Sequence, residues 1–367
     1  MNNIVTSILD FFKFMWIRRS PSLPFTKAGF AFIFLSLPTG PLVEILLSYE
    51  GISAGLKLET TESLPSIIRY FFLGFGGLLI IYGLFVHRKH LKKLEEETSR
   101  KRVVIIEHRG LTAPINVSVK DAVPIEYIGR REAILIDQTP FVDGNNKVAY
   151  PERSLEEVVR IREKVDDRIK DVEKDDVIIV YGGVASVPYT FLTGYLIDDD
   201  NKVNVFDWDR IKETWREISS CNRHKEATIT GLAAAKDAEE IVVVLSVSYA
   251  ADLEAISRCF PSLPLVHMDT EDYQPNNHWD KDQQDKWVEQ FIRITRSLGS
   301  LRKIHLIIAA QNSVVFQMGR RYDRRNCPDV LVYQYERDEE DAYPWAVEVP
   351  RTGNGAQIIM RNAALTP

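Results

Sequence analysis

Residues 176–210 read DVIIVYGGVASVPYTFLTGYLIDDDNKVNVFDWDR, and residues 303–337 read KIHLIIAAQNSVVFQMGRRYDRRNCPDVLVYQYER. Each stretch runs from an apolar strand through a loop of small or polar residues to a Ser-Val pair and a Phe-x-x-Gly motif, and then to a second strand. The offset between the two is about 125 residues. Similarity at a fixed offset predicts two fused copies of one nucleotide-fold unit.

The sequence around this repeat alternates between strands and helices. Such alternation is typical of an α/β fold with mostly parallel strands. We place the halves at about 103–230 and 231–367. The predicted strands are 103–107, 133–137, 177–181, 203–207, 241–246, 265–268, 304–309 and 330–335, and the predicted helices include 154–170, 250–259, 281–297 and 313–321.

Four strand-to-helix loops, two in each half, are predicted to line one face of the fold. Ligands of doubly wound sheets bind where strands end and helices begin, because unpaired N–H groups and the helix dipole there favour anions. A ligand with several phosphates suits four such loops. The candidate ligand-binding residues are Gly183, Ser186, Tyr189, Ser248, Tyr249, Gln311, Asn312, Ser313 and Arg320.

These residue types suit a nucleotide. Glycine admits a close backbone approach, serine hydroxyls and arginine bind phosphate, amides read base edges or ribose, and tyrosines stack on bases. Each also has a purely structural interpretation: Ser186 and Ser313 as helix caps, and Gly194 and Gly319 as packing positions between helix and sheet.

Two apolar segments near the N-terminus predict a membrane region at 1–93, followed by a linker at 94–102. Residues 70–86, YFFLGFGGLLIIYGLFV, lack charge, and the span is extended to 67–86, about the length that crosses a bilayer. An earlier span at about 28–47 contains Pro38 and Pro41, which kink or break a helix, and the acidic Glu44. Glycines in the second span favour close helix packing and hence self-association.

Basic flanks predict the orientation. The run HRKHLKK at 87–93 follows the second span, and Lys13, Arg18, Arg19 and Lys27 precede or begin the first. By the positive-inside rule, both chain ends lie in the cytoplasm of a multi-pass inner-membrane protein.

Charge and motif content narrow the function further. Residues 1–93 carry 10 Lys and Arg against 5 Asp and Glu, which leaves 36 basic and 47 acidic residues, net −11, in the remainder. That balance argues against binding a nucleic-acid polymer. Phosphate-loop, zinc-protease, nucleophile-elbow and deaminase motifs are all missing, and the three cysteines lie far apart. We therefore expect no catalytic residues, no metal, no cofactor and no enzymatic activity.

The same residues resemble the SAVED domain, the cyclic-oligonucleotide sensor of bacterial CBASS anti-phage defence, which looks like two fused CARF-type Rossmann units. The similarity covers most of 102–350. It rests on Tyr181-Gly182-Gly183 to Gly194 with strand 203–208, on HLIIAA at 305–310, on Gly319-Arg320, on strand 330–335 and on Tyr343. The loop at 309–313 departs from the family pattern because it has no proline.

This resemblance implies a transmembrane SAVED effector. A cyclic oligonucleotide, a trinucleotide ahead of a tetranucleotide, would bind the sensor and drive homo-oligomerisation. The assembled helices would act on membrane lipids, disrupt the bilayer and cause abortive infection. Two alternatives stay open: a membrane-tethered nucleotide hydrolase, and a passive nucleotide receptor whose hairpin only tethers it.

Overall fold

The computed structural model describes residues 21–36, 43–49, 52–58, 65–111, 117–199, 201–221, 225–274, 276–299, 303–323, 325–337, 339–349 and 355–361. Within it the chain divides into two compact units, Met1–Ser99 and Arg100–Pro367.

The first unit contains two helices and a two-stranded hairpin. Helix α1 is Leu23–Ser36, strands β1 (Val43–Tyr49) and β2 (Ile52–Leu58) pair antiparallel, and helix α2 is Ser66–Arg100. Among the described helices, α2 alone is long and apolar enough to cross a membrane, with a mean hydropathy of 1.8 over its most apolar window. The predicted span at 67–86 lies inside α2.

The first predicted span differs from the structure. Instead of a helix over 28–47, α1 ends at Ser36 and residues 43–49 form strand β1. The physical reason lies in the sequence between them, since Pro38 and Pro41 cannot donate the backbone hydrogen bonds that continue a helix. At 14 residues, α1 is about 21 Å long, shorter than the roughly 30 Å hydrocarbon core.

Glycines set the contact between α1 and α2. A Cβ built on Gly29 would lie 2.7 Å from the Gly76 carbonyl oxygen, and one built on Gly76 would lie 2.6 Å from the Gly29 carbonyl oxygen. The two backbones therefore touch at this crossing, as small residues allow in membrane helices. Gly74 and Gly77 have open space around them and take no part in this contact.

The second unit contains two mixed sheets and a helical layer. The strands are β3 (Arg102–Arg109), β4 (Arg130–Asp137), β5 (Val177–Val184), β6 (Val203–Asp209), β7 (Thr214–Glu217), β8 (Thr228–Thr230), β9 (Glu240–Ser246), β10 (Leu265–Asp269), β11 (Lys303–Ala309), β12 (Asp329–Tyr333), β13 (Trp345–Val349) and β14 (Gln357–Met360). The helices are α3 (Val119–Ala122), α4 (Pro151–Val159), α5 (Ile161–Ile169), α6 (Val187–Ile197), α7 (Leu253–Cys259), α8 (Lys281–Leu298) and α9 (Asn312–Arg321).

The two sheets repeat one topology. The first has the order β4-β3-β5-β6-β7, and the second contains β10-β9-β11-β12-β13 in the same sequence. In each, four neighbouring strands run parallel and the fifth runs antiparallel. Strands β8 and β14 extend the second sheet at its two edges. The predicted α/β duplication is confirmed, although β8 begins the second sheet at Thr228, ahead of the predicted boundary.

The largest apolar cluster connects the two halves. It contains Tyr181 of β5 and Phe316 of α9, whose rings stack with centroids 3.6 Å apart. Phe191 of α6 packs edge-on against Phe291 of α8, at 6.5 Å between centroids. Burial of such large rings from both halves makes the second unit a single folded body, because each half would expose apolar area without the other.

Candidate functional site

The candidate site lies at the carboxyl ends of the parallel strands in the two sheets. Strand β5 leads through Ala185 and Ser186 into α6, and β11 leads through Ala310 and Gln311 into α9. Ser186 and Gln311 are the N-cap residues of these helices and occupy equivalent positions in the two halves. The Ser-Val pairs of the sequence repeat are not equivalent, since the second pair falls inside α9.

A reciprocal crossing of α6 and α9 holds the two N-termini in place. A Cβ on Gly194 would lie 2.2 Å from the Phe316 carbonyl oxygen, and a Cβ on Gly319 would lie 2.1 Å from the Phe191 carbonyl oxygen. In each Phe-x-x-Gly motif, the glycine faces the phenylalanine carbonyl of the other motif. Only glycine fits at positions where two backbones come this close.

Asn312 connects the two halves at the site. Its Oδ1 accepts a hydrogen bond from the Ala185 backbone N–H at 3.3 Å and another from the Thr190 hydroxyl at 2.8 Å. Both donors belong to the first half, whereas Asn312 begins the helix of the second. The predicted loops of the two halves therefore meet and are joined by hydrogen bonds.

Gln311 and Tyr249 form the accessible part of the second half. The Gln311 side-chain amide donates to the Tyr249 hydroxyl at 2.6 Å. The Tyr249 ring is 39% exposed, and its backbone N–H bonds the Ala309 carbonyl at the end of β11. This arrangement presents an aromatic face and an amide beside it, the groups that stack on a base and bond to its edge.

The N-terminus of α9 is capped from inside the protein. The buried carboxyl group of Asp207, at the end of β6, accepts the Ser313 N–H at 2.9 Å. His278 Nε2 lies 3.7 Å from the same Asp207 oxygen. A carboxyl group at this position occupies the place that a ligand phosphate would take at the positive end of the helix.

The N-terminus of α6 carries no such carboxyl group among the described residues. Ser186 makes no side-chain cap, and its buried Oγ lacks a hydrogen-bond partner within the part of the chain that the structure describes. The positive end of the α6 dipole is therefore without a carboxylate cap, which makes it the better position of the two for an anion, although the Ser186 Oγ itself is not exposed in this structure.

A buried polar group lies beneath the loop of the first half. His108 Nε2 contacts the Gln138 side-chain oxygen at 2.8 Å, and its Nδ1 lies 3.4 Å from the Tyr181 hydroxyl. Burial lowers the pKa of His108 from 6.5 to about 4, so the ring is neutral near pH 7. It therefore supports the site floor without adding positive charge.

Three of the predicted ligand residues, Gly183, Tyr189 and Ser248, are buried within the protein. The space beside Gly183 is filled by Tyr181 and His108. Tyr189 is fully buried, and its hydroxyl donates to the Pro151 carbonyl at 2.7 Å. Ser248 is also buried and donates to the Asn277 side-chain oxygen at 3.0 Å. These placements correct the predicted contacts, because none of the three residues is open to a ligand.

Two predicted residues of α9 are also placed elsewhere. Ser313 is buried, and its Oγ accepts the Gln284 amide at 3.0 Å. Arg320 lies about eight residues, or roughly 12 Å, along α9 from its N-terminus. Its guanidinium donates to the Asp198 and Asn201 carbonyls at the other end of α6. The structure thus brings together Ser186, Tyr249, Gln311 and Asn312, whose roles toward a ligand stay predictions.

Sequence reasoning missed Asp207, Thr190 and Asn277. Asp207 lies near the end of a strand in the repeat, beside an aromatic residue. This position in the repeat could have indicated that Asp207 belongs to the site. Thr190 lies four residues after the Ser186 N-cap, one turn into α6. Nothing near Asn277 in the sequence indicates that it bonds Ser248 and the Val247 carbonyl.

Two families match the sequence. Residues 160–349 match the family described as SMODS-associated and fused to various effectors sensor domain, or SAVED. Residues 1–155 match the family described as SAVED-fused 2TM effector domain. The search of curated proteins found no match.

Solved structures similar to this chain include SAVED/CARF-domain receptors. One is the Acinetobacter baumannii Cap4 SAVED/CARF-domain containing receptor with the cyclic trinucleotide 2'3'3'-cAAA, at 13% identity and a TM-score of 0.46, covering 79% of this chain and 62% of that one. Another is the Moraxella osloensis Cap4 receptor, at 12% identity and 0.45, covering 79% and 61%. This chain thus spans less than two thirds of either receptor. From the family matches, the chain belongs to the SAVED family and carries its sensor domain fused to a 2TM effector domain.

Proposed function

We propose that this protein is a membrane effector switched on by a cyclic oligonucleotide. The proposal rests on the meeting of Ser186, Asn312, Gln311 and Tyr249 at one edge of a sensor that follows a 2TM effector domain in the same chain. A phosphate binds at the α6 N-terminus, and a base stacks on Tyr249.

Binding at this edge acts on both halves at once, because Asn312 joins them. A ligand that contacts the α6 and α9 loops together favours one arrangement of the two halves over others. The resulting surface assembles copies of the protein, and the assembled membrane helices permeabilise the inner membrane. Both chain ends lie in the cytoplasm in this multi-pass arrangement, as the basic flanks predict.

The site is proposed to bind without catalysis. The groups proposed to contact the ligand are amides, a hydroxyl and a phenol, none of which is a general base near neutral pH, and the buried Asp207 carboxyl group is already bonded to the Ser313 N–H. His108 lies close by, but it is buried and its pKa is lowered to about 4.

A titration of the full chain in detergent with 2'3'3' and 3'3'3' cyclic triadenylate, and with cyclic tetranucleotides, tests ligand binding. We expect saturable binding of at least one cyclic compound and no binding of its linear form. Chromatography of the same mixtures checks the competing hydrolase. Recovery of linear product would favour that enzyme, and absence of binding to every cyclic nucleotide would refute the proposal.

A further inference from the structure

A second charged groove lies in the sensor unit, away from the edge described above. It has a volume of about 1070 Å³. Its lining residues belong to α5, α6, α8 and α9 and to the segments that follow α6 and α9. Six arginines line it against four acidic residues. This local excess of positive charge lies in a part of the chain that is acidic as a whole.

Five of the six arginines have exposed side chains: Arg162, Arg293, Arg296, Arg321 and Arg325. None of the five forms an ion pair with a described residue. Arg296 and Arg321 stand in the last turns of α8 and α9, where helix dipoles favour cations. Arg162 and Arg293 stand outside such turns, so the dipoles explain only part of the cluster.

Two of the four acidic residues of the groove, Glu289 and Asp323, are bonded to other groups. Glu289 pairs with Lys286 at 3.2 Å. The carboxylate of Asp323 accepts the Arg325 backbone N–H at 2.8 Å and also the Asn326 amide. Hydrogen bonds and the nearby Arg296 and Arg325 charges lower the pKa of Asp323, so it stays ionised. The exposed guanidinium groups therefore retain bonding capacity that these acids do not use.

The walls of the groove favour phosphate over a base. The apolar lining residues Ile292, Tyr195 and Tyr322 are all at least nine-tenths buried, and the Tyr322 hydroxyl donates to the Pro328 carbonyl. An aromatic face open for stacking is therefore missing from the described lining. Guanidinium groups match phosphate oxygens with two parallel hydrogen bonds, and several of them suit adjacent phosphates.

We propose that this arginine groove binds a chain of linked phosphate groups, such as inorganic tripolyphosphate or the triphosphate of a nucleoside triphosphate. The groove is separate from the candidate cyclic-nucleotide edge. Arg320 forms part of the groove wall, and its guanidinium is fixed by hydrogen bonds to the Asp198 and Asn201 carbonyls.

Calorimetric titration of the full chain in detergent with sodium tripolyphosphate, in parallel with ATP and with orthophosphate, tests this proposal. We expect saturable binding of tripolyphosphate and ATP, and much weaker binding of orthophosphate. The double variant Arg293→Gln/Arg296→Gln should weaken tripolyphosphate binding at least ten-fold. The matched control Arg258→Gln/Lys281→Gln removes two exposed positive charges outside the groove and should bind as the wild type does.

The outcomes separate this site from the other one and from a lipid surface. Saturating tripolyphosphate should leave the affinity for the cyclic nucleotide unchanged, because the two sites are separate. Absence of tripolyphosphate binding, or equal losses in the groove variant and its control, would overturn the proposal. Arginine-dependent binding to phosphatidylglycerol vesicles without binding of tripolyphosphate would overturn it in favour of a lipid headgroup site. Unchanged thermal unfolding of the groove variant confirms that it is folded.

Discussion

At the candidate edge the two helix N-termini are chemically unequal. Asp207 already neutralises the N-terminus of α9, whereas Ser186 leaves the N-terminus of α6 without a side-chain cap. In the proposed function, the duplicated fold therefore offers one phosphate position rather than two equivalent ones. Gln311 and Tyr249 are held together by a hydrogen bond, and we propose that they recognise a base in the other half.

Two alanine variants test this division of roles. We expect Ser186→Ala and Gln311→Ala each to weaken cyclic-nucleotide binding about five-fold or more, since a hydrogen bond to a charged group contributes roughly 1.5–3 kcal/mol and a neutral one about 1 kcal/mol. Ser257→Ala, on the exposed side of α7, is the control and should bind normally. Unaltered affinity of both site variants would place the ligand elsewhere.

The buried acid Glu336 makes stability depend on pH. It lies after β12 with Asp143, Glu339 and Lys147 nearby, and burial raises its pKa from 4.5 to about 7. Because its folded pKa lies above the unfolded value, its favourable contribution is present below pH 4.5 and is lost as pH rises through 7.

Glu336→Gln should therefore raise the melting temperature at pH 8 by about 2 °C or more and change it little at pH 4.5. Thermal unfolding of the full chain at the two pH values measures this difference. An equal change at both would mean that ionisation of Glu336 does not act on the fold.

Single residues also show how far sequence reasoning reaches at the site. The loops that meet were predicted, because carboxyl ends of parallel strands share an edge. Burial of Tyr189 and Ser313 was not predictable, since it depends on the neighbouring elements that cover them. The ionic cap of α9 depends on a residue about 100 positions away in the sequence, and local pattern carries no such information.

Among the elements, α6 and α9 decide the geometry of the sensor. Their glycines allow backbone contact, and the Phe-x-x-Gly motif provides that contact twice. Helix α6 was expected only from the Ser186 cap and was given no bounds, because its sequence VPYTFLTGYLI is apolar on every side and lacks the periodicity of a surface helix. Strands β7, β8, β13 and β14 were not predicted either, since strands of three to five residues give little pattern.

Adding a methyl group at the crossing should separate these helices. Gly194→Ala or Gly319→Ala places a Cβ about 2 Å from a carbonyl oxygen, and we expect a loss of roughly 2–3 kcal/mol in stability despite the better helix propensity of alanine. Gly144→Ala, which has open space around it, should be nearly neutral. Denaturant unfolding measures the three values, and equal stability of all three variants would contradict the close crossing.

For the whole molecule, the sequence repeat and the long apolar segment were sufficient to predict a membrane region joined to a duplicated α/β sensor. Pro38 and Pro41 predicted a kink or break in the first apolar segment, and α1 stops at Ser36, just before them, whereas the strand at 43–49 was not predicted. In the proposed function, the membrane helices do more than anchor the chain, because ligand binding to the sensor controls them.

Ligand-dependent leakage of a dye from proteoliposomes containing the full chain tests the central claim most directly. Cyclic oligonucleotide should release the dye from liposomes carrying the wild type, release far less from those carrying Ser186→Ala/Gln311→Ala, and release none when residues 1–93 are replaced by an unrelated two-helix anchor. Ligand binding without leakage from wild-type liposomes, or leakage that persists with the replaced anchor, would contradict the account.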